Sequence, residues 1–116
     1  MGSKKVLQAK FYQSESGKEP VREWLHSLSH EDKKAIGNDI KTVEFGWPQG
    51  MPLCEHLENG ILEVRTNLKD KIARVLFCIQ DDTMYLLVGI IKKTQKTPKE
   101  SLNLAKKRKR RLFNGN

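Results

Sequence analysis

"IARVLFCIQDDTMYLLVGII", residues 72–91, is the stretch whose reading decides the fold. Ala73, Val75, Phe77 and Ile79 alternate with Arg74, Leu76 and Cys78, which is the two-residue period of a strand over 72–80. Asp81-Asp82 then turns the chain. MYLLVGII (84–91) follows as a second strand, apolar on both faces and so expected inside a sheet rather than at its edge. Upstream, Asn59-Gly60 is a turn pair. ILEVRT (61–66) is a further strand, with Leu62 and Val64 on one face and Glu63 and Arg65 on the other. Three consecutive strands with short turns predict an antiparallel meander.

Working outward, KVLQAKFY (5–12) reads as an N-terminal strand with Leu7, Ala9 and Phe11 on one face. Pro20 suits the first position of a helix. Val21, Trp24, Leu25 and Leu28 fall at the i, i+3, i+4, i+7 spacing of one helical face. Ser29, with Asp32 three residues on, caps a second helix whose stripe is Ile36, Ile40 and Val43 and which ends at Gly46. WPQGMP (47–52) reads as a loop. Beyond the meander, Pro98 opens a last helix with Leu102, Ala105 and Leu112 inward and a basic tail, KKRKRR (106–111). The predicted class is α+β: N-terminal strand, α-helical hairpin, antiparallel β-meander and C-terminal helix in one domain spanning residues 1–116. The hairpin should cover the face bearing Val64, Val75 and Phe77. Glu63, Arg65 and Arg74 would then lie on an uncovered face, where Arg74→Ala would cost no more than roughly 1 kcal/mol.

No window approaches a membrane span, and MGSKKVLQ lacks the apolar core of a signal peptide, so a cytoplasmic protein is expected. Cys54 and Cys78 are far apart and without metal-ligand spacing, so neither disulfide nor zinc is expected. His26 and His30 lie four apart, but Ser27, Leu28 and Ser29 read as a helix junction between them, which argues against a metal there. The net charge of +8 is unevenly placed. Residues 1–60 hold 8 Lys/Arg against 9 Asp/Glu, and residues 61–116 hold 14 against 5. A basic half of this kind suits a polyanion, nucleic acid first and an acidic protein second.

The apolar strand 84–91 runs without a spacer into Lys92 and Lys93, and Lys96 and Lys99 follow. With Glu63, Arg65 and Arg74 these residues could form a metal-free ribonuclease centre. The 2′-OH of RNA attacks its own phosphate, so such a centre needs a base, a cation for the phosphorane and an acid for the leaving 5′-oxygen. Arginine offers the phosphorane a bidentate fork, and a lysine crowded by other cations has a lowered pKa suited to acid or base work. From composition and spacing alone the same residues describe solvated strand ends and a Glu63–Arg65–Arg74 surface ion network more readily than a catalytic centre.

"LENGILEVR" (57–65), "ARVLF" (73–77) and "LLVGIIKKTQKTPKESLNLAKKR" (86–108) together resemble the phage-derived branch of the RelE/HigB toxin family. That family writes these segments roughly as L-x-x-G-L-x-E-L-R, Y-R-x-x-Y/F, and a strand ending in F-x-K-K-T-x-K-T-P before an A-x-x-R helix. The resemblance covers about the last 60 residues, and KKTQKTP is its most specific part. It implies a RelE-like fold and the toxin of a bacterial type II toxin–antitoxin pair. It also implies an endoribonuclease that cuts mRNA on the ribosome without metal or other cofactor. The implied partners are ribosome-bound mRNA and a helix-turn-helix antitoxin encoded by the adjacent downstream gene, with no membrane. Carried over by position, Arg74 would be the transition-state cation, Arg65 a phosphate contact, Lys92 or Lys93 the acid/base, and Glu63 part of the same centre. Lys96, Lys99, Lys106, Lys107 and Arg108 would hold RNA. Ala73, Val88 and Ile90 depart from the family's usual Tyr, His and Phe, and His56 is a candidate substitute for the missing histidine. Two alternatives have different chemistry: a ParE-type toxin that binds gyrase without cleaving RNA, and a non-catalytic RNA- or ribosome-binding module.

Overall fold

The computed structural model describes residues 4–48, 54–93 and 96–114. Most of the expected 47–52 loop, together with Thr94 and Gln95, lies outside them. The elements run β1 (Gln8–Phe11), α1 (Pro20–His26), α2 (His30–Gly46), β2 (Cys54–His56), β3 (Leu62–Leu68), β4 (Lys71–Gln80), β5 (Thr83–Lys92) and α3 (Lys99–Asn114). The strands form one mixed sheet in the order β1-β5-β4-β3-β2. β3, β4 and β5 are the expected antiparallel meander. Two-residue turns at Lys69-Asp70 and Asp81-Asp82 join them, and Asp70 (φ 60°) and Asp81 (φ 57°) take the left-handed conformation that matches the twist of a hairpin.

The helical hairpin forms where its capping signals lie. Pro20 occupies the first turn of α1, and the Ser29 hydroxyl accepts from the Asp32 amide at 3.2 Å. His26 ends α1 and His30 begins α2, so the two histidines do not share a helix. Val21, Leu25, Ile36, Ile40 and Val43 pack on one sheet face against Leu62, Val64, Ala73, Val75, Phe77, Met84 and Leu86. Leu7 joins the same layer. Trp24 lies so close over Gly89 that a Cβ there would stand 2.2 Å from its ring. The side chain missing at Gly89 thus admits an aromatic ring of the protein itself.

Two features differ from the sequence reading. β2 is an additional, short edge strand, which puts exposed His56 in a strand rather than a loop. The second sheet face is also not uncovered. α3 packs there, with Ala105 fully buried, against Ile61, Leu76, Cys78, Leu87, Val88 and Tyr12. Leu102, Leu112 and Phe113 flank this layer, and Tyr85 meets Phe113 edge-on with ring centroids 6.0 Å apart. The physical cause is the second apolar row on β4 and β5, which must be removed from water, and α3 offers the matching stripe. A register shift at Leu76/Phe77 lets β5 carry Leu87 and Val88 on this face together.

Candidate functional site

Arg65 on β3 and Arg74 on β4 are register partners, so their side chains share a face. Two guanidiniums at opposed positions repel unless an anion stands with them. Glu63, two residues from Arg65 on the same face, supplies it. Arg65 Nε donates to Glu63 Oε1 at 2.7 Å, and Arg74 Nε lies 3.6 Å from Oε2. Thr97, from the segment leading into α3, donates its hydroxyl to the same Oε2. Glu63 and Arg74 are each 0 % exposed. Arg74 therefore does not project from an uncovered face, as the sequence led us to expect. The carboxylate that holds Thr97 is itself buried, and α3 lies over the neighbouring part of the sheet. Arg65 reaches solvent with 35 % of its side chain and also meets Glu55 on β2 at 2.6 Å. Its hydrogen bond to Glu63, with the nearby carboxylates of Glu63 and Glu55, raises its pKa further against the opposing effect of burial. Arg65 is cationic at any working pH.

Lys92 is the register partner of Ile72 and Ile90 that of Arg74, so Lys92 continues the face of Arg74 two residues further along β5. Lys92, Lys93, Lys96 and Lys99 are all exposed. The structure thus brings Glu63, Arg65 and Arg74 into one ionic cluster. Beside it lies a row of open lysines that continues into the Thr97 segment.

The basic tail also makes contacts within the chain that its sequence did not show. Lys106 Nζ pairs with Glu58 and keeps only 18 % of its side chain exposed. Arg108 Nη1 donates to the Leu87 carbonyl at 2.6 Å, at the residue the register shift leaves out of the ladder, and its guanidinium lies 5.4 Å from the Tyr12 ring centre. Burial pushes the pKa of Arg108 down, with the Tyr12 hydroxyl opposing. Lys109 Nζ donates to the Asn59 carbonyl at 2.5 Å. Arg111 joins the Tyr12 hydroxyl at 3.0 Å and Glu15 at 3.0 Å. These long side chains spend their heads on acceptors elsewhere in the chain. Lys106 and Arg108, expected as RNA contacts, thus make contacts within the chain that help seat α3, whereas Lys107 and Arg110 are exposed.

Sequence reasoning missed Thr97, Tyr12, Arg111 and Glu44. Glu44, 7 % exposed, accepts from the Ala9 amide at 2.7 Å, while its carbonyl takes the Val6 and Leu7 amides. It ties β1 to the end of α2. The one available signal was Glu63 itself. It sits opposite Leu76 in a strand flanked by apolar residues, and a carboxylate there demands cationic partners such as Arg65 and Arg74 on the same face. Among the described residues no group of His, Cys, Asp and Glu could hold a metal ion, and no helix is long and apolar enough to cross a membrane.

No curated protein matches the chain. A family model described as "Phage derived protein Gp49-like (DUF891)" matches residues 23–110, from α1 into the basic part of α3 and including every site residue expected from the sequence. The chain therefore belongs to the phage-derived Gp49-like family, a family of RelE-like toxin-type proteins, and this membership implies a cognate antitoxin in general.

Proposed function

We propose that this protein is the toxin of a type II toxin–antitoxin pair with a RelE-like fold, and that it inhibits translation in the cytoplasm by cutting ribosome-bound mRNA without a metal. The observation that carries the reading is the exposed row Lys92, Lys93 and Lys96 beside half-exposed Arg65, all on or next to the face that holds Glu63 and Arg74. Arg65 is the cation placed to meet a scissile phosphate, because its guanidinium reaches solvent while Glu63 and Glu55 fix its direction. Lys92 or Lys93 takes the 2′-OH proton or protects the 5′-oxygen, and Lys96 and Lys99 hold the RNA backbone. Arg74 acts as a positioning residue in this conformation. Its guanidinium is fully buried beside Glu63, which Thr97 also holds. The antitoxin, in this reading, is a helix-turn-helix protein encoded by the adjacent downstream gene.

The full burial of Glu63 and Arg74 favours a second reading, a toxin that binds a target such as gyrase without cleaving RNA. Purified protein added to programmed ribosomes, beside a gyrase supercoiling assay, separates the two. Cleavage of mRNA with supercoiling intact supports the nuclease. Inhibited supercoiling with intact mRNA supports the alternative.

A further inference from the structure

Three donors compete for the two carboxylate oxygens of Glu63. Oε1 accepts from Arg65 Nε at 2.7 Å, Oε2 accepts from the Thr97 hydroxyl, and Arg74 Nε lies 3.6 Å from Oε2. The last torsion of a glutamate is broad, so no rotamer well decides which oxygen faces which cation. Hydrogen bonds decide it. Arg74 is the stronger rival for the carboxylate, because its guanidinium is fully buried and a fork-to-fork pairing would take both oxygens. Arg65 is half-exposed, and its other carboxylate partner, Glu55, is more exposed still. An exposed pair of that kind holds a direction only weakly. The direction of Arg65 therefore depends on which way the buried carboxylate is turned.

Thr97 is held where it can settle that competition. Pro98 disfavours helical backbone at the residue before it, and Thr97 stands just outside α3. The Pro98 carbonyl accepts the Ser101 and Leu102 amides at 3.1 and 3.2 Å, which ties this segment to the first turn of the helix. The branched side chain of Thr97 is stiff at its first torsion, so its hydroxyl has a fixed aim. We propose that Thr97 is a positioning residue for the cleavage reaction: its hydroxyl occupies Oε2 of Glu63, keeps the carboxylate from turning onto Arg74, and so leaves Oε1 to aim the Arg65 guanidinium at the scissile phosphate. The effect on rate rests on the nuclease reading, whereas the linkage from Thr97 through Glu63 to Arg65 does not.

The test uses the full chain and two readouts. The first needs no RNA. Solvent exchange of the Arg65 Nε–H, followed by NMR, should speed about tenfold or more in Thr97→Val, the scale of one hydrogen bond to a charged group. Thr97→Ser keeps the hydroxyl and should exchange like the wild type. Thr97→Ala gives the same readout as Thr97→Val, should the latter melt early. Arg111→Ala loosens the far end of α3 and should leave Arg65 exchange unchanged, which separates positioning from the mere seating of that helix. The second readout is single-turnover cleavage at saturating ribosomes. Thr97→Val should cut about tenfold or more slowly with wild-type ribosome affinity, as misplacing one reacting group does, and Thr97→Ser should restore the rate. The proposal is overturned if folded Thr97→Val and Thr97→Ala exchange Arg65 Nε–H like the wild type. It is equally overturned if Thr97→Ser loses as much as Thr97→Val, if Arg111→Ala reproduces the effect, or if Thr97→Val loosens Arg65 yet cuts at the wild-type rate. A wild type that never cuts RNA but shows the Thr97-dependent exchange would sink the nuclease reading alone and leave the linkage standing.

Discussion

Removing the Glu63 carboxylate is the most informative single change. Glu63 is 0 % exposed and faces two guanidiniums and the Thr97 hydroxyl. Glu63→Ala leaves the buried Arg74 guanidinium without the carboxylate 3.6 Å from its Nε, and breaking a buried ion pair from one side costs about 3–5 kcal/mol. A domain of this size holds only about 5–15 kcal/mol in all. With roughly 4 °C of melting temperature per kcal/mol, the expected drop is about 12 °C or more. Arg74→Ala should cost a similar amount, well above the roughly 1 kcal/mol expected of a surface arginine. Replacing both partners with apolar residues, as in Glu63→Leu with Arg74→Met, should recover most of the loss, because neither charge is then buried alone. Arg65 has a second carboxylate partner in Glu55, at 2.6 Å, that none of these substitutions removes. Thermal and urea melts of Glu63→Leu, Arg74→Met and the double close the cycle, with an expected coupling of about 2 kcal/mol or more. A Glu63→Ala protein melting within about 2 °C of wild type, or single-variant costs that simply add, would refute the buried-cluster reasoning.

Three further outcomes are expected. Gly89→Ala drives a methyl into the Trp24 ring and should cost about 1–3 kcal/mol with a shift in tryptophan emission, and Trp24→Leu in the same chain should restore part of it. Arg111→Ala removes the hydrogen bond to Tyr12 and should cost about 1 kcal/mol, detected as faster amide exchange in the last turns of α3. Burial pushes the thiols of Cys54 and Cys78 up to about 11 from 9.0, so the folded state holds these protons more tightly than the unfolded chain. Their contribution is present below pH 9 and lost as pH rises through about 11, so stability should fall across that alkaline window and fall less in Cys78→Ala.

The meander was legible because its first two strands keep a two-residue alternation, its third is an unbroken apolar run, and two-residue turns separate them. The hairpin was legible because Pro20 and Ser29 act locally, through the first turn of each helix. The reading failed where a decision depends on what lies above a face. Leu76, Cys78, Leu87 and Val88 already marked the second face as apolar, and the last helix carried a stripe with nowhere else to go. Treating that face as uncovered put Arg74 in water. The same omission misread the tail: a helix of Lys and Arg looks free in sequence, yet the carbonyl of Leu87, the Tyr12 hydroxyl and Glu58 engage it from up to 99 residues away. β2 escaped because three residues are too few for a period to show. In the candidate site the residue types of Glu63, Arg65 and the lysines were legible. Their division into a buried pair, a half-exposed arginine and an exposed row was not, because it depends on Thr97 reaching back 34 positions to Glu63.

The most direct test of the proposed function is single-turnover cleavage of mRNA on programmed ribosomes, with chelator present, by wild type, Arg65→Ala and the Lys92→Ala/Lys93→Ala double variant. The wild type should cut at defined positions in chelator. Each folded variant should still bind ribosomes but cut at least about 100-fold more slowly, the scale of losing one transition-state donor. Intact mRNA with the wild type, or wild-type cleavage rates in both variants, would contradict the nuclease reading.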